Sequence, residues 1–395
     1  MAQPLAGVRI ADFSHVIAGP LATQFLCLLG AEVIKVEPPA GDAMRYYTRD
    51  PDRQGMAEPF IAANAGKKSI VLDLKSQEGR DAAHSLISSS DILVENFRPG
   101  VADRLGFGAK NIAARHPSLI YCSVSGFGQT GPMADYPAID QVIQSVSGLM
   151  LLSGHDGEPA ERIGFPIVDT YSALLTAFAI LAAYTQRQAD PQKRGQIVDV
   201  SMLDAAMVMM SSVVAPMLIS GAKPTRSGNR GFSGAPTADT FATADGEITI
   251  GAVQDIQVER LFHAMERGDL LDDARFNCHE ARFANDAALQ HILRAGFATR
   301  SADEWEAILT RAGVPAGKVR KLEEALDLPQ LQERDLFIAL PDADRPGNKN
   351  PADRNKVLNA GFRFARDGPG VTEAAPALGQ HTDVVLGALK QSVND

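Results

Sequence analysis

Before Gly126 the chain carries apolar runs of strand length at Val8–Phe13, Ala31–Val36, Ser69–Leu74, Ile92–Val94 and Leu119–Val124, with helical patterns at Leu21–Leu29 and Gly79–Ser88 between them. That alternation is met by a parallel sheet with helices on both faces, because parallel neighbours need a crossover long enough to hold a helix. The opening is a βαβ unit: a strand, a turn at Gly19-Pro20, a helix stopped by Gly30, and a second strand. The expected fold class is α/β, a Rossmann-like parallel sheet in a large domain. Ligands on such sheets sit beyond the carboxyl ends of the strands. His15, Asn96-Phe97-Arg98 and Ser125-Gly126-Phe127-Gly128 fall at those ends.

The texture changes after Gly221. Lys223 to Pro236 is rich in Gly, Pro, Ser and basic residues, and its spaced Gly228, Gly231 and Gly234 fit a lid as well as a plain linker. Thr240–Ile250 reads as a hairpin with Asp245-Gly246 at the turn, and helical patterns follow at Val253–Met265, Ala287–Ala295 and Ala302–Ala312. Residues 223–328, linker included, are expected to form a smaller α+β domain. Residues 1–222 and 329–395 are expected to form the large one.

At 395 residues and 45% hydrophobic content, the chain can bury the cores of both. A formal charge of −10 argues against nucleic acid as a partner, yet an anionic ligand can still be held where Lys, Arg and backbone N–H groups gather. Cys27, Cys122 and Cys278 are far apart and form no C-x-x-C pair, so a reducing cytoplasm is expected and a disulfide framework or thiolate metal site is not. No basic, apolar leader is read at the start. The uncharged segments Thr170–Gln186 and Ala205–Ala222 approach membrane-spanning length, but the first is near the short limit and the second holds Pro216 and several serines. Both are expected to be buried helices of a core or an intimate dimer interface, with no membrane involved. Glu37 ends the second strand where a dinucleotide dehydrogenase keeps its ribose-binding acid, but Ser14-His15-Val16-Ile17-Ala18-Gly19-Pro20 lacks the glycines that admit a pyrophosphate.

Asp169 stands between the strand-like run Ile163–Val168 and the apolar helix Thr170–Tyr184. One reading is an N-cap, whose oxygens accept from the first helical N–H groups. The other is a nucleophile, kept ionised and poorly hydrated by the helix dipole.

The segments Pro4–Ile10, Ala18-Gly19-Pro20, Leu29–Glu37, Asn64–Leu74, Glu95–Gly100, Gly126–Pro132, Gly195–Met202 and Ser227–Arg230 resemble the class III CoA-transferases, a group that includes formyl-CoA and carnitine-type CoA-transferases and α-methylacyl-CoA racemases. The resemblance implies an interlocked homodimer that takes acyl-CoA and carboxylic acid substrates and keeps no permanent cofactor and no metal. It implies that CoA is lined by His15, Ile17, Ala18, Leu72, Lys75, Asn96, Phe97, Arg98 and Arg104, with Asp140 among them, and that Asp169 is the nucleophile. The basic groups suit a phosphorylated adenosine diphosphate. Lys75 and Arg104 also read as solvated surface charges, Asn96 as a turn cap and His15 as a core histidine.

The implied chemistry runs through an aspartyl anhydride and an enzyme-CoA thioester in a site closed to water. Two departures from the group's patterns bear on the outcome. Pro38 replaces the Arg of the formyl-CoA branch, whose compact run of four glycines is also missing, so oxalate is not expected as acceptor. Ala138-Ile139-Asp140 replaces the Gly-His-Asp of the racemase branch and removes half of its acid–base pair. The expected activity is CoA transfer from an acyl-CoA to a free carboxylic acid, dicarboxylates included. An α-methylacyl-CoA racemase, an NAD-dependent oxidoreductase and a catalytically silent acyl-CoA-binding module are the alternatives.

Overall fold

The computed structural model describes residues 3–341 and 356–392; residues 342–355 and 393–395 of the expected C-terminal return, and the first two residues, lie outside the described residues. Six strands, β1 (Arg9–Asp12), β2 (Glu32–Glu37), β3 (Lys68–Val71), β4 (Ile92–Glu95), β5 (Ile120–Ser125) and β6 (Ile197–Ser201), form one parallel sheet in the order β3-β2-β1-β4-β5-β6. Order reverses at β1, and open sheets of this kind receive ligands in the crevice at the carboxyl end of the strands beside such a reversal. β6 went unread because it is an edge strand whose Ile197 is 47% exposed, which leaves no buried apolar run to read.

Both faces of the sheet are covered, which is why its strands read as unbroken apolar runs. Ile10, Val33, Ile92, Val94, Ile120 and Cys122 pack with Leu26 of the helix Ala18–Leu28 and with Ala177 and Ile180 of the helix Ile167–Ala189. Ala11, Ile34, Val36, Ile70, Leu93 and Tyr121 pack on the other face with Leu86 and Ile87 of the helix Gln77–Ser88 and with Val385 and Leu389 of the C-terminal helix Thr382–Ser392. By length and composition the 23-residue helix Ile167–Ala189 could cross a membrane. Its inner face is made of small residues, Ser172, Ala173, Thr176 and Ala177, and lies on the helix Ala18–Leu28. The second apolar segment is two helices, Met202–Met209 and Ser211–Ser220, meeting at 80°.

Gly19 and Pro20 do not form the expected turn. They lie in the first helical turn, where a proline's missing N–H would have had no partner anyway. A Cβ on Gly19 would stand 2.2 Å from Ser14 Cβ, so only glycine lets the helix start this close to the chain leaving β1. The turn falls instead at Val16, whose φ of 66° is an outlier for a β-branched residue. The run Ile163–Val168 is not a strand either; the chain bends at Gly164 and Phe165, and the helix has begun by Ile167.

The chain divides into two compact units, one of Met1–Met150, Arg162–Pro224 and Pro329–Asp395, the other of Leu151–Glu161 and Thr225–Leu328. Leu151–Glu161, assigned by sequence to the large domain, belongs to the second unit. Arg226 donates there to the carbonyls of Ser153 (2.7 Å) and Pro159 (3.0 Å), and His155 bridges Ser227. The second unit holds an antiparallel sheet of β7 (Ala238–Ala242), β8 (Glu247–Gly251) and β9 (Ala316–Lys318), with a core of Phe241, Phe262, Phe297 and Trp305. The Gly-rich stretch is tied down within this unit. The Gly228 N–H donates to Gly154 (3.0 Å), the Gly231 N–H donates to Ala238 (2.8 Å), and Arg230 pairs with Asp286 at 3.1 Å.

Candidate active site

At the switch point of the sheet the turn between β1 and its helix is clamped from both sides. Asn96, just past β4, accepts from the His15 N–H and donates to the His15 carbonyl, each at 2.8 Å. On the other side Asp42 accepts from the Val16 N–H at 3.2 Å and pairs with Lys35 at 2.9 Å, and Lys35 also donates to the Ser14 carbonyl at 2.8 Å. No side chain caps the helix Ala18–Leu28, so its first N–H groups remain available to an acceptor.

Beneath the turn lies a wholly buried ionic layer. Lys67 donates to Asp12 (3.2 Å), Thr23 (2.7 Å) and the Pro20 carbonyl (2.8 Å). Burial pushes the Asp12 carboxyl up, but Lys67, Lys35, Ser14 and Thr23 together outweigh it and hold the group at about 2. Burial draws Lys67 down to about 8 against the pull of Asp12. His15 is drawn below its ordinary value by burial and then by Lys35, which favours the neutral imidazole. Glu37 is fully engaged with Arg45 (2.6 Å) and Ser69 (2.6 Å), so it is not available to a ribose.

Asp169 is the third residue of its helix, not the cap. The cap comes from Asp140, which opens the helix Asp140–Val146: its Oδ2 accepts from the N–H groups of Val168 (2.8 Å) and Asp169 (3.0 Å), and its Oδ1 accepts from Gln144 (2.5 Å). The two acids thus divide the work. Asp140 satisfies the helix terminus, and the Asp169 carboxyl is left without a helical duty. Burial, and next the charge of Asp140, push Asp169 up to about 7.

Asp169 opens on a cleft of about 500 Å³ shared with His15, Ile17, Ala18, Asn96, Phe97, Arg98 and Asp140. An adjoining hollow of about 300 Å³ shares His15 and Phe97 and adds Leu72 and Lys75. Arg104 lines neither; it is exposed on the short helix Val101–Leu105, whose Val101 and Leu105 line the hollow. Asp140 lines the cleft with both oxygens taken up by donors that fix the two helices. The larger hollow of about 820 Å³ between the helix Gln77–Ser88 and the C-terminal helix also takes in Leu72, is lined by Asp73, Glu78, Asp81 and Lys390, and does not include Asp169. Sequence reasoning missed Tyr47, Tyr136, Gln141 and Arg162 in the cleft wall. The nearness of Arg162 to Asp169 in the chain was the one available signal.

This sheet, with a spare carboxylate at the carboxyl end of its strands, is that of an α/β enzyme, and its family places it in the transferase class. The chain belongs to CoA-transferase family III, whose sequence model matches residues 5–382. It is similar to the succinyl-CoA–D-citramalate CoA-transferase of Chloroflexus aurantiacus, 35% identical over 382 residues, 96% of this chain and 92% of that one. It is likewise similar to the acetyl-CoA:oxalate CoA-transferase of Acetobacter aceti, 36% identical over 347 residues, 87% and 88% of the two chains. A solved CAIB/BAIF family protein from Brucella suis superposes with a TM-score of 0.86 at 31% identity, covering 98% of this chain and 100% of that one.

Proposed function

We propose that the protein moves CoA from an acyl-CoA donor to a free dicarboxylic acid, with Asp169 as the covalent relay. The observation that carries this is the division of labour between Asp140 and Asp169, which leaves one carboxylate uncapped and partly desolvated at a cleft lined by Asn96, Arg98 and an open helix N-terminus. The ionised Asp169 oxygen attacks the thioester carbonyl and CoA leaves as thiolate, giving an acyl-aspartyl anhydride. The thiolate then attacks the aspartyl carbonyl and releases the donor acid. The acceptor carboxylate attacks the resulting thioester and forms a second anhydride, from which the thiolate takes the acceptor's acyl group and restores Asp169. Phosphate groups of CoA are assigned to Arg98 and Lys75, and its acyl end to the cleft.

Acceptor class follows from the relatives, named for citramalate and oxalate. A relative of 36% identity is named for oxalate, so oxalate belongs among the acceptors to be tested. Racemisation is disfavoured because Ile139 offers no proton and the Asp140 oxygens are engaged as a cap. We also assign the working form as a homodimer. Leu174 and Phe178 on the Asp169 helix, Val142 and Val146 on its neighbour, and Leu218 and Ile219 beyond are exposed apolar residues that a second copy would cover. Free, buried Cys27 and Cys122 suit a reducing cytoplasm.

The test is a matrix of acyl-CoA donors against mono- and dicarboxylic acids, read by mass spectrometry. Acceptor-dependent exchange of CoA is expected. Exchange of an α-proton with solvent deuterium, with no need for acceptor, would establish the racemase instead. A second expectation concerns Asp140→Asn. Loss of its charge lets Asp169 ionise more readily, so the acid limb of kcat/KM, near pH 7 in the parent, moves to lower pH; the amide has one accepting oxygen where the carboxylate uses two, and the hydrogen bond lost costs about 1 kcal/mol of stability. A pH–rate profile beside a denaturant titration reads both.

A further inference from the structure

We infer that Arg162 seats the second carboxylate of a dicarboxylic substrate in the Asp169 cleft, an assignment that rests on the transferase reading. Arg162 and Asp169 line the same cleft and share one mount. Gln144, wholly buried on the helix Asp140–Val146, accepts from the Ile163 N–H at 2.9 Å and donates to Asp140, which caps the Asp169 helix. The backbone that carries Arg162 is thus fixed by the same short helix that fixes the nucleophile.

The guanidinium is only partly committed. Nη1 donates to the Ile163 carbonyl at 2.9 Å, and among the described residues Arg162 makes no ion pair, although Asp140 and Asp169 share its cleft. Part of a planar fork suited to a carboxylate therefore stays open. A dicarboxylate that presents one end to Asp169 carries its other charge into the cleft, where desolvation without a partner is costly. Arg162 answers that charge. A monocarboxylic acid of equal length brings a methyl group to the same place and leaves the guanidinium unanswered, so discrimination of about ten- to a hundredfold is expected from a hydrogen bond between charged partners. Arg98, the other guanidinium of the cleft, is assigned to CoA.

The experiment is a competition: succinyl-CoA as the single donor, with glutarate and pentanoate at equal concentration, the two CoA products counted by mass spectrometry. Both acids draw on one enzyme-CoA thioester, so the product ratio is independent of the amount of folded enzyme and of the donor step. The parent is expected to favour glutaryl-CoA. Arg162→Gln should shift the ratio toward pentanoyl-CoA by about ten- to a hundredfold, with Arg162→Lys between, since it keeps the charge and loses the fork. An unchanged ratio in Arg162→Gln, or a parent without preference for glutarate, overturns the assignment while leaving the transferase intact. Neither product from the parent overturns both.

Discussion

Asp169→Asn is expected to abolish CoA transfer, by at least about 10⁴-fold, because the amide is neither charged nor able to carry an acyl group through an anhydride. Intact-mass spectrometry gives the second readout: the parent incubated with acyl-CoA shows a CoA-sized adduct and the variant does not. Normal turnover in the variant would remove Asp169 from the reaction whatever the family. Stability should move the opposite way. Burial and then Asp140 raise the Asp169 pKa to about 7, above the unfolded value of 3.8, so the folded protein holds that proton more tightly and loses stability as pH rises from about 4 to about 7. Asp169→Asn has no charge to desolvate. Its Tm is expected to exceed the parent's at pH 8 and to converge with it near pH 3, a gain in stability set against a loss of function.

Asp12→Ala carries the largest expected loss of stability, about 3–5 kcal/mol, since it strips the counter-charge from Lys67 and from nearby Lys35 in a layer closed to water. Denaturant titration of the parent and variant measures it. Because the Asp12 pKa lies below its unfolded value, the contribution is present above about pH 4 and fades as pH falls toward 2, so the difference between the two proteins should shrink in acid. The pair Asp12→Leu with Lys67→Met should recover part of the loss, because the orphaned ammonium of Lys67 goes with its partner. A double variant no more stable than Asp12→Ala alone would show that Lys67 is not the group left stranded. The same layer holds the Val16 turn, so the damaged variant should also bind CoA esters less well.

How much of this was legible in the sequence depends on how local the cause was. Strands β1 to β5 declared themselves because two-sided burial leaves continuous apolar runs, and the β7–β8 hairpin because Asp245-Gly246 supplies the turn chemistry between alternating strands. Edge strand β6 has neither signal. Asp169 was visible as a residue at a helix start, but that it is not the cap turned on Asp140, a partner 29 positions earlier in the chain that no local pattern could supply. The same is true of Leu151–Glu161, whose place is set by Arg226 rather than by anything within the segment. Arg162 was passed over because an exposed arginine means nothing until the cleft it borders is seen.

The C-terminal helix has a bearing on how the protein is made. Val385 and Leu389 finish an apolar layer begun at Ala11, and the chain between them includes the whole second unit. On the ribosome the second unit can fold as soon as it emerges, whereas the first must wait, its layer over Leu86 and Ile87 uncovered, until Val385 and Leu389 have emerged. A truncation that removes the helix Thr382–Ser392 should therefore yield insoluble protein rather than a shortened enzyme.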